Sequence, residues 1–350
     1  MDATTIAVDL AKNVFEIAIA NECWHVVRRY RLSRTRFERF LREEPVAHVV
    51  MEACGSAHYW ARTAQRSGHR VTLLPSQYVR PYVRRHKTDR TDAEALLEAV
   101  RSGRIPPVAV KSVAQQELLA LHRVRQQWIT TRTARLNAMR GLLLEHGIAF
   151  PRGARTVLTQ IGTLLGRDDR TLPPRLCDVL TRLRDEVREL EDRVHLVERE
   201  LAGLAAADPV IERLMRIPGV GLLTATALIA TVGHIHAFRR ARRFASWLGL
   251  TPRERSSGGQ RHLGAITKQG DVYLRCLLTH GARAVLLMAQ RAAHAGKPLT
   301  RVQQWALSVH RHRGHNKATI AVANKLARII WVVWSRDVEF TATPPMTAAA

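Results

Sequence analysis

Hydrophobic and polar positions alternate along residues 4–100 in a pattern of strands interleaved with helices. Two short apolar runs, TIAVDLA and VFEIAIA, flank Lys12-Asn13 and predict a β-hairpin. A third strand is predicted for WHVVRRYRL, and later strands for AHVVMEA and HRVTLLP. Helical spacing is found in RTRFERFLREE and SAHYWARTAQRSG, and a further helix begins within KTDRTDAEAL. The predicted order is three adjacent strands, then helix, strand, helix, strand and helix.

This order is typical of a ribonuclease-H-like domain, which we place at residues 1–111. In such a sheet the first and fourth strands lie side by side, and the late helix crosses over them. The analogy concerns the fold and does not by itself give an activity. The fold class predicted for the chain is therefore α/β plus α, since the remaining residues are mainly helical in pattern.

A heptad pattern dominates the middle of the chain, residues 112–206. Its apolar positions step by alternating intervals of four and three residues, at Leu176, Leu180, Leu183, Val187, Leu190, Val194, Val197 and Leu201. Arg and Glu crowd the flanking positions. We expect a coiled coil that joins subunits of a homo-oligomer, a dimer or tetramer. The alternative is a helical hairpin within one chain, in which this seam packs against residues 114–147 across a loop at 149–173.

Residues 207–340 predict a mainly helical third domain, and residues 341–350 a disordered tail. The segment LMRIPGVGLLTATALIATVG indicates one helix that ends near Ile217 and another that restarts at once, as in a helix-hairpin-helix motif. In such a turn, Gly219 and Gly221 would let backbone N–H groups approach a phosphate closely. A plain tight turn between two packed helices is the alternative.

The charge of the chain adds a functional expectation to this picture. Lys and Arg number 55 against 30 Asp and Glu, a formal net charge of +25, which favours nucleic acid as partner and an acidic membrane surface only as a weaker alternative. No apolar run approaches the roughly 20 residues of a spanning helix, so no membrane partner is expected. The four cysteines form no CxxC pair, which indicates reduced thiols in a cytoplasm and no structural zinc.

Carboxylates are scarce in this chain, yet two of them interrupt apolar strands. Asp9 stands within TIAVDLA and Glu52 ends HVVME, although a charge in a core strand is costly unless something pairs with it. Asp89 and Asp92 follow in the basic stretch VRRHKTDRTDAEALLEAV, where TDAE also fits a helix capping box. If the four acids converge, they repel one another. Divalent cations, two Mg²⁺ per site, would relieve that repulsion and act on a phosphodiester.

Five motifs together resemble the DEDD transposases of the IS110/IS1111 insertion-sequence family. They occur in order over residues 4–335 as VDLAKNVFEIAI, VMEACGSAHYW, KTDRTDAEAL, IPGVGLLTATALIA and LGLTPRERSSGGQRHLGAITKQGDVYLRCLLTHGARAV. The resemblance implies a RuvC-like first domain, a coiled-coil linker and a C-terminal transposase domain. It implies that Asp9, Glu52, Asp89 and Asp92 bind metal and act in catalysis. It also implies guidance by a structured noncoding bridge RNA.

The loop TPRERSSGGQRH contains two serines directly before two glycines. By its residues alone it is an ordinary polar loop, but the resemblance implies that one serine is a nucleophile. Ser257, the serine next to glycine, is the better match, and Ser256 is the alternative. Nucleic-acid contacts are expected from the basic residues nearby, Arg253, Arg255, Arg261 and Lys268. His262 is a candidate base, although binding of phosphate is its more ordinary role.

We therefore predict a transposase or recombinase of a bacterial insertion sequence, acting in the cytoplasm beside the nucleoid. It would cut and rejoin element-end and target DNA with metal-bound carboxylates and a serine, guided by RNA. A structure-specific nuclease of the junction-resolving kind would need the acids but not the serine. A non-catalytic nucleic-acid-binding protein would need neither.

Overall fold

A computed structural model of the chain describes residues 5–83, 89–150, 153–166 and 172–342. Residue contacts divide the chain into two compact units. The first runs to Val113 and includes Val232–His234, and the second comprises the remainder. The predicted disordered tail lies outside the described residues from position 343 onward. The division of the second unit between residues 206 and 207 stays a prediction.

The first unit is a mixed sheet with helices on both faces. Its strands are β1 (Thr5–Leu10), β2 (Val14–Ala20), β3 (Val26–Ser33), β4 (His48–Glu52) and β5 (Arg70–Leu74). Its helices are α1 (Arg34–Glu43), α2 (Ala57–Arg66), α3 (Ser76–Val79) and α4 (Asp89–Arg101). The order across the sheet is β3-β2-β1-β4-β5, in which the first three strands are antiparallel neighbours and β4 and β5 run parallel to β1. The strands and helices predicted for this region are thus confirmed.

The two faces of this sheet are packed differently. On β1, Ile6 and Val8 belong to a core shared with α1 and α2. The intervening position on β1 and two positions on β2 are small residues, Ala7, Ala18 and Ala20, and they pack against α4. Because side chains alternate along a strand, a residue two positions from Ala7 on β1 faces α4 as well.

The outer strand β3 is charged, which protects an exposed sheet edge from pairing with other chains. Two of its arginines bind neighbouring elements. Arg29 lies 2.7 Å from Glu94 of α4, and Arg31 lies 3.2 Å from Glu16 of β2.

Over its described residues, the second unit is helical apart from one β-hairpin. Its helices are α5 (Val113–Leu144), α6 (Ala154–Leu165), α7 (Pro174–Ala206), α8 (Pro209–Met215), α9 (Leu222–Val232), α10 (Ala241–Trp247), α11 (Val272–His294), α12 (Arg301–Arg313) and α13 (His315–Arg336). The hairpin strands are β6 (Pro252–Glu254) and β7 (Leu263–Ile266). α6 lies where a loop was predicted. That prediction is wrong because Val157 and Ile161, one helical turn apart, are buried in the core.

α5 and α7 form an antiparallel pair within the chain. Three ion pairs join them, with numbers running in opposite directions: Arg125–Glu198 at 2.6 Å, Arg132–Glu191 at 3.6 Å and Arg135–Glu186 at 2.7 Å. Apolar residues of both helices share two cores. The seam positions that are at most 5% exposed are Leu180, Val187, Leu190, Val194, Val197 and Leu201.

The seam thus packs within one chain, and the expectation that it also joins subunits stays a prediction. Its apolar surface is already buried inside one chain, so little of it remains to hold a second copy. The alternative, a helical hairpin that packs the seam against α5, is the arrangement found.

α11 and α13 provide much of the remaining core. Their buried residues include Leu274, Leu278, Leu286, Val322, Leu326 and Ile330. By length and hydropathy alone both helices could span a membrane, contrary to the prediction that no apolar run approaches that length. Of the apolar windows concerned, 33% and 44% are buried in the protein, and core helices of soluble proteins pass the same test.

Candidate functional site

Asp9 and Glu52 lie at neighbouring positions near the carboxyl ends of two paired strands. β1 and β4 are parallel, with Val8 opposite Met51, and the two acids are the next residue along each strand. Both are half-buried. This confirms the expectation from the sequence that the first and fourth strands lie side by side with an acid on each.

The two acids also share a face of the sheet. Asp9 lies two residues after Ala7 on β1, and Glu52 lies two residues after Val50 on β4, so each acid shares a face with that apolar residue. Both Ala7 and Val50 pack against α4. The pKa of the nearby Cys54 thiol is raised, chiefly by burial and further by the negative charges of Glu52 and Asp9. The Cys54 thiol thus lies close enough to both carboxylates for their charges to raise its pKa.

A third carboxylate, not predicted from the sequence, extends this row. Glu16 on β2 stands directly opposite Asp9 and shares its face, and Arg31 on β3 stands opposite Glu16 and pairs with it. From the edge inward the row is Arg31, Glu16, Asp9 and Glu52. The signal was the single polar position in VFEIAIA, but its face could be assigned only once the hairpin register was known.

α4 carries the other two predicted acids. Asp92 is half-buried, with Oδ1 shielded from solvent, and the adjacent Ala93 packs in the core on the same side of the sheet. Asp89 is the first residue of α4, and its side chain lies outside the described residues. Because the helix starts at Asp89, it does not begin with the TDAE capping box. Glu94 instead binds Arg29 of β3.

The residue types in this row fit a divalent cation. Carboxylate oxygens are the hard ligands that Mg²⁺ prefers, and neighbouring acids repel each other unless positive charge lies among them. Within the described part of the chain, no three His, Cys, Asp or Glu side chains form a group that could hold a metal ion. The side chain of Asp89 is outside that part. The donor chemistry therefore fits, and the complete ligand set stays a prediction.

The serine loop is the tip of the β6–β7 hairpin. Beyond the two strands, Ser257 and Gln260 bridge each other across the turn Gly258-Gly259. The Gln260 N–H donates to the Ser257 carbonyl at 3.1 Å. Both glycines have positive φ, 58° and 76°, which a two-residue turn of type I′ requires and which glycine adopts without strain. The geometry of the turn therefore explains why glycine occupies both positions after the serines.

Ser256 has a defined set of partners at this tip. Its hydroxyl donates to Glu254 Oε1 at 2.9 Å and accepts from the backbone N–H of His262 at 3.3 Å. Arg261 Nε donates to the same carboxylate oxygen at 3.0 Å. The hydrogen bond from Ser256, followed by Arg261, lowers the pKa of Glu254. Glu254 was not among the residues predicted from the sequence, although it lies two residues before Ser256, as a same-face neighbour on a strand does.

The base of the hairpin is held by the helical core. The Lys268 N–H donates to the Gly249 carbonyl at 3.2 Å, and Asn324 of α13 donates to the Leu250 carbonyl at 3.1 Å. The side chains expected to contact nucleic acid are exposed here, those of Arg253, Arg255, Arg261 and Lys268. The base of the hairpin is thus hydrogen-bonded to the helical core, and its tip is exposed and basic.

The two glycines of the predicted phosphate turn between α8 and α9 differ in their surroundings. At Gly219, with a φ of 86°, a Cβ atom would lie 2.8 Å from the carbonyl oxygen of Gly281 on α11. Close helix packing therefore explains this glycine. Gly221 is exposed at the start of α9, and a Cβ there would meet nothing within 4 Å. A phosphate contact at this turn stays a prediction, and Gly221 is the better placed of the two.

Comparison with known proteins finds relatives along nearly the whole chain. The sequence model of the transposase IS116/IS110/IS902 family matches residues 211–296, and a DEDD transposase model of the IS110 group matches residues 6–148. A probable family 20 transposase of Pseudomonas aeruginosa is 41% identical over 338 residues, 96% of this chain and 98% of that protein. The transposase of element IS1111A from Coxiella burnetii is 38% identical over 96% of this chain and 91% of its own length. That of IS1328 from Yersinia enterocolitica is 36% identical, with coverages of 97% and 99%.

Proposed function

The chain belongs to the IS116/IS110/IS902 family of transposases, enzymes that cleave and rejoin DNA, and we propose that its two units supply different parts of that reaction. Carboxylates of the first unit bind divalent cations, and a serine of the second unit bonds covalently to DNA. The observation that carries this proposal is the pair of acids on neighbouring strands β1 and β4, on the face that packs against α4.

The sheet supports a ribonuclease-H-like, RuvC-like fold for the first unit. Three antiparallel strands precede two parallel ones, and the resulting order β3-β2-β1-β4-β5 is the order expected of that fold. Such a sheet gathers side chains from neighbouring strand ends, where Asp9 and Glu52 stand. α4, which begins with Asp89, packs on the same face.

The cations, two Mg²⁺ per site, would be held by the carboxylates of Asp9, Glu52, Asp89 and Asp92. When bound, they supply positive charge that stabilises the attacking and leaving oxygens of a phosphodiester. The strands hold two of these acids side by side, and the helix carries the other two. Arg31 pairs with Glu16, which keeps that fifth acid from competing for the cations.

Ser257 is proposed as the nucleophile, with Ser256 as the alternative. Its Oγ forms a bond to phosphorus while the bond from phosphorus to a deoxyribose oxygen breaks, and the hydroxyl proton ends on the departing oxygen. The serine–phosphate ester conserves the energy of the broken phosphodiester, so another strand can be joined without ATP. Hydrolysis by water would lose that energy.

DNA at the element ends and at the target is the proposed substrate, with a structured noncoding RNA as guide, in the bacterial cytoplasm where the DNA lies. The net charge of +25 supports polyanionic partners of this kind, because each neutralised phosphate releases counterions. Exposed Arg253, Arg255 and Lys268 would contact phosphates. A homo-oligomer, dimer or tetramer, is also proposed, and because most of the heptad seam is buried within one chain, other surfaces would contribute to its interface.

The test is incubation with labelled element-end DNA, followed by a denaturing gel and protease treatment. A slow-migrating, protease-sensitive adduct should form with Mg²⁺ and be absent with EDTA. Asp9→Ala and Glu52→Ala should lack it while retaining the wild-type circular dichroism spectrum and DNA affinity. Metal-dependent cleavage without an adduct would indicate a junction-resolving nuclease instead. DNA binding without cleavage would indicate a non-catalytic protein.

Metal binding can be measured without activity. A cation that binds only the folded protein stabilises it by about 2.7 kcal/mol at a hundred times its Kd. Mn²⁺ or Mg²⁺ should therefore raise the thermal midpoint of the wild-type protein and raise that of Asp9→Ala less. Equal shifts in both proteins would contradict a role of Asp9 as ligand.

A further inference from the structure

The register of the β6–β7 hairpin separates its two serines onto opposite faces. The Arg255 N–H donates to the His262 carbonyl at 3.0 Å, and Ser257 bridges Gln260, so the members of each pair stand opposite each other. Opposite residues share a face, and consecutive residues on a strand alternate between faces. Ser257 therefore lies on one face of the hairpin and Ser256 on the other.

The face of Ser256 is occupied by an internal hydrogen-bond network. The serine hydroxyl and the Arg261 guanidinium both donate to one oxygen of Glu254. The charge of Arg261 is thus offset by the Glu254 carboxylate, and the Ser256 hydroxyl already donates its hydrogen bond to that carboxylate. This face therefore offers no net positive charge to a DNA phosphate.

The face of Ser257 has the opposite character. Strand alternation gives it Arg253 and Arg255 from its own strand and His262 from the partner strand. All three residues are exposed. The positions on this face around the turn, residues 253, 255, 257, 260 and 262, include no acid. This face can accept a phosphate without repelling it.

We infer that the hairpin presents its Ser257 face to a DNA phosphodiester, with Arg253 and Arg255 as phosphate contacts, and that Glu254 is a positioning residue on the opposite face. The inference rests on the proposed serine chemistry and specifies its geometry. Cations on the reacting face stabilise the charge that grows on the phosphate oxygens as the serine attacks. Arg261, expected from the sequence to bind nucleic acid, belongs instead to the Glu254 network.

Glu254 fixes the tip by tying its two strands together. It holds Ser256 on the first strand and Arg261 on the second, directly beside the turn. The tip is exposed, and its two glycines have more conformational freedom to lose than any other residues. Removing the Glu254 carboxylate should therefore make the residues on the Ser257 face less well ordered without removing any group from that face.

Two matched pairs of variants test the choice of face. Ser257→Ala should form no covalent adduct, whereas Ser256→Ala should form it at a reduced rate, with the adduct mapped to Ser257 by mass spectrometry. Arg255→Gln should weaken DNA binding by about tenfold and adduct formation by about a hundredfold. Arg261→Gln should weaken DNA binding several times less, since its charge is already offset by Glu254.

Two variants of Glu254 separate positioning from proton transfer. Glu254→Gln keeps an oxygen that accepts the Ser256 proton, so it should restore most of the adduct rate that Glu254→Ala loses. Neither variant should weaken DNA binding, because the phosphate contacts lie on the other face. If Glu254 were a general base for Ser256, the amide would be as inactive as the alanine.

An adduct mapped to Ser256, together with an inactive Glu254→Gln, would overturn the inference and make the Glu254 face the reacting one. If the wild-type protein forms no adduct at all, the serine chemistry of the proposed function fails. The DNA affinities still decide the choice of face in that case. Equal losses for Arg255→Gln and Arg261→Gln would overturn it, and a selective loss for Arg255→Gln would uphold it.

Discussion

Asp9 and Glu16 face each other across the antiparallel ladder of β1 and β2, two carboxylates in directly opposite positions. Like charges in this arrangement destabilise a sheet, and Glu52 adds a third acid on the next strand. Arg31 pairs with the outer member of the row, Glu16. A row of neighbouring carboxylates at strand ends is the donor arrangement that a divalent cation prefers.

Asp9→Asn should raise the free energy of unfolding in metal-free buffer by up to about 1 kcal/mol, because it removes one of the repelling charges. Strand exchange should be lost at the same time. Urea unfolding in EDTA measures the first effect and a recombination assay the second. Glu38→Gln, at an acid of α1 whose side chain is 45% exposed, is the matched control and should change stability by less than about 0.5 kcal/mol. A destabilised Asp9→Asn would mean that the carboxylate supports the fold.

Leu190→Ala should lower the free energy of unfolding by about 2–4 kcal/mol, because this side chain on the seam of α7 is only 5% exposed. Leu196 offers a matched control on the same helix, since it is 48% exposed, and its replacement by alanine should cost less than about 0.5 kcal/mol. Light scattering should give both variants the wild-type mass. A lower mass for Leu190→Ala alone would show that this seam also joins subunits.

The seam illustrates where the sequence was insufficient. A heptad pattern shows that an apolar stripe exists, but not which helix covers it. The partner helix α5 has a patchier pattern because it meets α7 through charged residues as well, among them Arg125 and Arg135. Those arginines resembled a solvent-facing surface in the sequence.

The strands of the first unit could be predicted because each is an apolar run bounded by turn residues. The acids Asp9 and Glu52 were visible for the same reason, as charges within or at the end of such runs. The role of Glu16 depended on register, which a period of two does not supply by itself. The β6–β7 hairpin could not be predicted because its strands are three and four residues long and largely exposed.

Gly219→Ala should destabilise the protein by at least about 1 kcal/mol, since alanine is strained at a positive φ and its Cβ would press on the Gly281 carbonyl. Gly221→Ala provides the matched comparison, because its Cβ would enter open space. It should leave the thermal midpoint nearly unchanged and weaken DNA binding if α9 receives a phosphate. Equal destabilisation of the two variants would contradict the packing explanation of Gly219.

A buried histidine links three helices of the second unit. His122 of α5 lies with Nε2 3.0 Å from Thr226 Oγ1 on α9 and Nδ1 3.1 Å from Tyr273 Oη on α11. Burial, and to a lesser degree the charge of Arg125, lowers the pKa of His122 to about 4. In the unfolded chain the ordinary value is about 6.5. Between these pH values the unfolded state binds a proton that the folded state does not.

Stability should consequently be highest above pH 6.5 and fall as the pH approaches 4, with up to about 3 kcal/mol due to His122. The pKa of His48 in the first unit is also lowered to about 4, chiefly by burial, so the wild-type profile alone does not isolate one histidine. Urea unfolding of the wild type and of His122→Gln at pH 7, 5.5 and 4.5 isolates the contribution of His122. His122→Gln should be less stable at pH 7, because glutamine fits this network poorly, and should lose less stability on acidification. A pH profile parallel to that of the wild type would mean that His122 takes up its proton without cost in the folded protein.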